Sequence, residues 1–410
     1  MALARVLVNM GGDRSTPKGM CRRGAASLLL CLAVILPACQ SEGRAGDGRE
    51  QTAADSRKEE PEKQPAPSRE ARRSFTIAAT GDILIHSQLA ERALAYGGSA
   101  RYDFSPMFDL VEPLLEGADL ALCHMETPIS PDNQGLSSYP IFNVPREIAN
   151  AAVNAGYDYC STASNHSLDQ GAAGVQATLD VLDRAGLEHE GTARSATEAR
   201  APTIVKANGV KVGLLSYTYG LNGLVEPAST PWLVNVNDAG AILDEARRSR
   251  AAGAEFVIVS LHGGPEYQSA PSAEQVALSR QLLKSRPVDL VIGHHAHVVQ
   301  PVDRIGRKYV FYGMGNFLSN QSPECCVPQT QDGVIVRLEI ADRGGSFRVV
   351  RAGYTPTYVR RDSYRIVPTG PRTKRGDPEL RAELKLSFQR TRTALNSLGA
   401  YEFGLRPDKS

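Results

Sequence analysis

From Phe75 onward the chain alternates short apolar runs with longer amphipathic stretches. The runs FTIAAT (75–80), DLALCH (119–124), YDYCST (157–162), VKVGLLSYT (210–218), EFVIVSL (255–261), DLVIG (289–293) and YVFYGM (309–314) are rich in β-branched and aromatic residues, which predicts strands. Between them, apolar positions recur at helical spacing near 87–96, 146–155, 172–186, 238–253 and 273–286, the third stretch stopping on Gly186. Strands and helices in turn predict an α/β domain of layered αββα type. The segment YTPTYVRRDSYRIVP (354–368) reads as strand and turn with Arg360 and Arg361 solvated, and 378–399 reads as a helix for the domain or a partner to pack against. The organisation expected is a leader over 1–39, a polar linker over 40–73, a domain over 74–360 and a C-terminal extension over 361–410.

The pattern before Phe75 is different. Arg22 and Arg23 precede AASLLLCLAVILPAC (25–39), an apolar stretch too short for a stable membrane span and placed as an export signal. It closes on LPAC, which resembles a bacterial lipobox and makes Cys39 the expected lipidation site. A plain secretory signal is the alternative, leaving the protein periplasmic or secreted. Met20, directly ahead of the arginines, is an alternative start. The following stretch to residue 73 is polar and charge-rich, without apolar periodicity, and reads as a disordered tether between bilayer and domain.

Charge is nearly balanced, 46 Lys+Arg against 45 Asp+Glu, so no global field draws in a polyanion and nucleic-acid binding is not expected. Beyond the leader four cysteines remain, with no framework spacing. Cys123 and Cys160 lie in apolar runs and read as buried thiols, whereas for the adjacent Cys325 and Cys326 metal binding, a disulfide and neither all stay open.

Candidate chemistry gathers just past the C-terminal ends of the predicted strands. FTIAAT leads to Asp82, DLALCH to Glu126, YDYCST to Asn165, His166 and Asp169, EFVIVSL to His262, and DLVIG to His294, His295 and His297. Loops at that edge of an α/β sheet converge, and rigid strands hold them. Each element alone also fits a turn, a helix cap or a satisfied core histidine. Together, oxygen and nitrogen donors without thiolate suit Mn, Fe or Zn. Asp82, Glu126, Asn165, His262, His295 and His297 are six donors, enough for two divalent ions about 3.5–4 Å apart that make hydroxide available near neutral pH. His295 and His297, two apart, are expected to point the same way from extended backbone. His166 is then free to protonate a leaving group. His86, four residues after Asp82, is a candidate outer or substrate contact.

The ordered motifs Gly81-Asp82, HMET, SNHSLDQG, HGGPEY, GHHAHVVQ and YGMGNF resemble the CapA family of poly-γ-glutamate and capsule synthesis proteins, over about Phe75 to Tyr358. The resemblance implies the four-layer αββα sandwich of calcineurin-like metallophosphoesterases, a two-metal rim, and action with polymer synthesis or export at the envelope. It places Asp82, Glu126, Asn165, His262, His295 and His297 as metal ligands and His166 beside them, with Glu266, Tyr267 and Asn316 completing motifs. His294 falls at a position the family leaves variable. The departures are His-Met for Asn-Leu before Glu126, alanine for proline at 296, and no tryptophan after His262. The partners implied are an anionic envelope polymer or a phosphoester substrate, a membrane-bound polymer-synthesis complex, and the bilayer through Cys39. An envelope hydrolase, a general periplasmic phosphoesterase and a non-catalytic metal-binding component of an export complex all remain open.

Overall fold

The computed structural model describes residues 73–371 and 374–408. The leader with Cys39, and the linker up to residue 72, lie outside the described residues. No helix among the described residues is long and apolar enough to cross a membrane.

The strands are, in chain order, β1 (Ser74–Ile83), β2 (Leu120–Met125), β3 (Tyr159–Ser161), β4 (Glu188–Glu190), β5 (Thr203–Ala207), β6 (Val210–Thr218), β7 (Phe256–His262), β8 (Leu290–His294), β9 (Val302–Ile305), β10 (Lys308–Phe311), β11 (Asn316–Leu318), β12 (Asp332–Asp342), β13 (Phe347–Val359), β14 (Ile366–Pro368) and β15 (Leu405–Pro407). They form two sheets. One runs β14-β13-β12-β1-β2-β3-β4, with β11 on β1 and β15 on β13; the other runs β5-β6-β7-β8-β10-β9. β1 to β4 are parallel, as are β6, β7, β8 and β10, so the loops after β1, β2, β3, β7 and β8 can meet at one rim.

Strict alternation explains the layers. Phe75, Ile77 and Ala79 of β1 and Val334, Val336 and Leu338 of β12 pack against Val212, Leu214, Phe256, Ile258, Leu290 and Ile292 of the second sheet. The intervening residues face outward onto helices, because successive strand side chains point to opposite faces. Ala78, Ala121 and Cys123 meet the helices Ser87–Tyr96, Glu147–Asn154 and Gly171–Ala185. Leu215, Val257, Val259 and Val291 meet Ala239–Ala251 and Ala273–Lys284. The result is the expected αββα sandwich. Capping sets where helices begin: Asp238 accepts from the Ala241 amide at 2.7 Å, and Ser272 forms a reciprocal box with Gln275.

The long strand β12, which lies beside β1, and the first half of its partner β13, from Phe347, were not anticipated, and neither were β4, β5, β9, β11 and β15; the second half of β13 falls in the segment read as strand and turn over 354–368. The helix Pro378–Asn396 packs on this domain, with Leu384 against Tyr358 and Val367, and Leu395 in the core between the sheets. Cys123 and Cys160 are register partners on β2 and β3, their Cα atoms 4.5 Å apart, so the two sulfurs face each other.

Beneath the rim the backbones approach closely. A Cβ on Gly293 would lie 2.0 Å from the Tyr312 carbonyl oxygen, and one on Gly81 would lie 1.9 Å from that of Gly315. Backbone cannot yield as a flexible side chain can, so Gly293→Ala is expected to cost about 3 kcal/mol, read as a lowered midpoint in urea unfolding.

Half-buried Glu190, at the end of β4, and buried Glu245, on the helix Ala239–Ala251, form an acid pair. Burial and the neighbouring Glu245 charge raise the Glu190 carboxyl to about 8, and burial raises Glu245, which accepts from the Tyr217 hydroxyl, to about 7. Both values exceed the ordinary carboxyl range, so the folded state holds these protons more tightly than the unfolded chain does. Their contribution is complete below the ordinary value and is lost as pH rises through about 7 to 8. Glu245→Gln is therefore expected to flatten the fall in melting temperature between mildly acidic and mildly alkaline buffer.

Candidate metal centre

Asp82 closes β1 at 0% exposure. Its Oδ1 faces His294 Nδ1 at 3.0 Å, and its Oδ2 accepts the His295 amide at 3.1 Å and lies 3.3 Å from His297 Nδ1. Burial alone would raise this carboxyl, but hydrogen bonds and charge from His294 and His297 hold it well below the usual carboxylate range. Glu126 follows β2, and neither of its buried carboxylate oxygens has a hydrogen-bond partner among the described residues. Burial pushes its carboxyl well above the usual range. A buried, unpartnered carboxylate is costly unless a cation meets it.

Donors surround that carboxylate. His297 Nε2 lies 3.6 Å and His262 Nε2 4.0 Å from Glu126 Oε1. Asp82, Glu126 and His297 offer atoms all within 4.8 Å of one another, and so do Glu126, His262 and His295. Glu126 is common to both groups. Asn165 joins the second, its Oδ1 being 2.7 Å from His262 Nε2. Burial pushes the His262 imidazole well down and brings His295 to about 3, so both present lone pairs at neutral pH. His295 Nδ1 is buried without a partner. The carboxylates of Glu126 and Asp82 outweigh burial at His297 and raise it to about 9. Imidazole and carboxylate donors with orphaned atoms fit a metal site.

The structure thus brings together the six donors read from sequence, but not by the backbone expected. His295 and His297 have φ of 84° and 55°, the left-handed region that side chains seldom adopt, and they lie in bends rather than extended chain. This turn folds the GHHAH segment around Asp82. His294, read from sequence as an outer or substrate contact and not as a ligand, is buried against Asp82 and stacks on His124, ring centroids 4.1 Å apart.

Around the cage, His166 Nδ1 meets Asp169 Oδ2 at 2.8 Å, and Asp169 also accepts the Phe142 amide at 2.7 Å. The His166 ring packs edge-on to Phe142, whose ring in turn meets His86. His86 therefore stands one aromatic ring away from His166. Burial lowers its imidazole to about 4. Asn316 accepts from His297 Nδ1 at 3.0 Å and donates to Gln321, which donates to the Tyr267 hydroxyl. Glu266 is exposed on the open side near His295 and His297. No cysteine belongs to the donor groups found among the described residues.

Two polar residues at the site were missed. His124 is 0% exposed and bonds His262 Nδ1 through Nε2 at 2.9 Å. Its signal was available, since it stands two places before Glu126 on the same strand face. Asn222, with φ of 52°, accepts from Asn165 Nδ2 at 3.0 Å and lies 3.5 Å from His166 Nδ1; nothing in its loop sequence marks it.

A four-layer αββα sandwich carrying a His, Asp and Glu cluster on its shared rim is an α/β fold with a candidate metal centre. Residues 76–321, more than half the chain, match the family described as bacterial capsule synthesis protein PGA_cap, and the protein belongs to that family. Among its relatives, the capsule biosynthesis protein CapA of Bacillus anthracis is 26% identical over 277 residues, covering 66% of this chain and 65% of that protein, just under two thirds of its length. The PGA biosynthesis protein CapA of Bacillus subtilis (strain 168) is 26% identical over 299 residues, covering 70% and 75%. Similar solved structures include the calcineurin-like phosphoesterase YfkN of Bacillus subtilis, at TM-score 0.39 and 16% identity over 81% of this chain and 99% of that one. A 5'-nucleotidase precursor from Thermus thermophilus matches at TM-score 0.42 and 13% identity over 77% and 58%.

Proposed function

We propose that this protein is a metal-dependent hydrolase of the cell envelope that acts in capsule or poly-γ-glutamate synthesis or export, on a phosphoester or a polymer amide bond. The observation that carries the reading is Glu126, whose two unpartnered oxygens are shared by two donor groups. In this reading Asp82, Glu126 and His297 hold one divalent ion, and Glu126, Asn165, His262 and His295 hold a second. Manganese, iron or zinc suits these donors. Such ions, when bound, polarise a phosphoryl or carbonyl oxygen and lower the pKa of water.

The chain's own residues do the rest. Asp169 takes the His166 Nδ1 proton in a hydrogen bond and fixes the ring, leaving Nε2 to deliver a proton to a leaving oxygen or nitrogen. Phe142 backs that ring and keeps water from its edge. Asn316 holds His297 so that Nε2 faces Glu126. The polymer role draws support from the two relatives named for capsule and PGA biosynthesis. Attachment to the bilayer through Cys39, with the domain held off on its tether, is part of the proposal and is tested by labelling cells with a fatty-acid probe.

The full chain, purified in detergent and loaded with Mn²⁺, should cleave an aryl phosphoester or shorten poly-γ-glutamate. Retention of the polymer with no cleavage of any substrate would point instead to a binding component of an export complex.

A further inference from the structure

Resting on the metal-site reading, we infer that His124 is a positioning residue that sets the tautomer of His262 and thereby opens its Nε2 to the metal. The basis is a chain of buried hydrogen bonds running from the backbone to the cage. The Ser161 hydroxyl donates to the Cys123 carbonyl at 3.3 Å, which leaves the Ser161 oxygen to accept from His124 Nδ1 at 2.8 Å. A neutral imidazole has one ring proton, so His124 Nε2 then carries a lone pair. That lone pair accepts from His262 Nδ1 at 2.9 Å. In that order of protons His262 Nε2 carries a lone pair facing Asn165 Oδ1, 2.7 Å away; in the reverse order Nε2 donates its hydrogen to that oxygen. Asn165 donates through Nδ2 to Asn222, so its Oδ1 is the atom turned to His262, and in the first order of protons two acceptors would face each other there. Those two atoms would then both be free to hold a cation.

The opposite order of protons would place a hydrogen on His262 Nε2 and block it. His124 is held in its role from three sides. Its strand pairs with β3 at Ser161, its ring stacks on His294 with centroids 4.1 Å apart, and it is fully buried. A partner on the far nitrogen of a ligating histidine orients the ring and raises its donor strength, and loss of such a partner costs about 10–100-fold in metal affinity.

The test is Zn²⁺ affinity of the full chain, measured by competition with a chromogenic chelator, together with ¹⁵N NMR of the zinc-loaded wild type. His124→Leu, which removes the acceptor, is expected to bind Zn²⁺ about 10–100-fold more weakly. His124→Gln, whose amide oxygen can accept from His262 Nδ1, should stay close to wild type. The spectrum should show His262 protonated at Nδ1 and ligated at Nε2, a signature that mere packing by His124 would not set and that needs no variant to fold. Wild-type affinity in His124→Leu, or a proton on His262 Nε2, overturns this inference alone. A wild type that takes up no zinc overturns it together with the metal-site reading.

Discussion

Asp82→Ala is expected to strip the protein of metal, with affinity falling by at least about 100-fold, the upper end of what loss of an outer partner costs and a lower bound for loss of a direct donor. Both Asp82 oxygens work at the rim, one on His294 and the other on the His295 amide and His297. Alanine removes a donor and also the carboxylate that holds the positive-φ turn in place. His297→Ala should act the same way through the opposite partner, since Nε2 is lost from the face of Glu126. Elemental analysis of dialysed protein checks both variants, with circular dichroism to show that the fold persists. Metal content equal to wild type in either variant would remove the assignment of these residues as ligands.

His166→Ala should separate chemistry from metal binding. The ring lies outside both donor groups, anchored to Asp169 and backed by Phe142. Metal content is therefore expected to be intact, while kcat on an aryl phosphoester falls about 10²–10⁴-fold, the usual worth of a positioned proton donor. Asp169→Asn keeps the ring in place but weakens its hold on the Nδ1 proton, so a smaller fall in kcat with little change in KM is expected. If His166→Ala lost metal in parallel with activity, the residue would be a support of the cage and not the proton donor. Unchanged turnover would remove it from the chemistry altogether.

Much of the architecture was legible because the inner strands are buried on both faces. EFVIVSL and DLVIG are nearly unbroken apolar runs, and each ends at its first histidine of the rim, as β7 and β8 do. The strand β12 was harder to see. In DGVIVRLEIAD the polar Arg337 and Glu339 alternate with core residues, and no site motif marks its end. The short strands β4, β11 and β15, three residues each, take their conformation from neighbours and carry little pattern of their own.

For the site, residue type and strand end were enough to pick out six side chains that the fold gathers at one rim, because carboxylate, amide and imidazole at consecutive strand ends have few other reasons to occur together. His124 and Asn222 escaped for different reasons. His124 sits inside a strand, where a polar residue reads as an interruption, and its partner His262 is 138 positions away. Asn222 depends on a left-handed backbone and a loop path that no local pattern specifies.

By itself, then, the sequence determined that the long apolar runs become the inner strands, that the amphipathic stretches between them become helices, and which polar side chains follow those strands, since all of these follow from periodicity and side-chain chemistry over a few residues. Only the tertiary structure decided that the turn after β8 winds left-handed around Asp82, that His294 and His124 stack beside the cage, and that Glu126 faces two groups of donors at once. Those outcomes depend on how two sheets meet across the core, and that distance-dependent geometry is carried by packing between residues far apart in the chain.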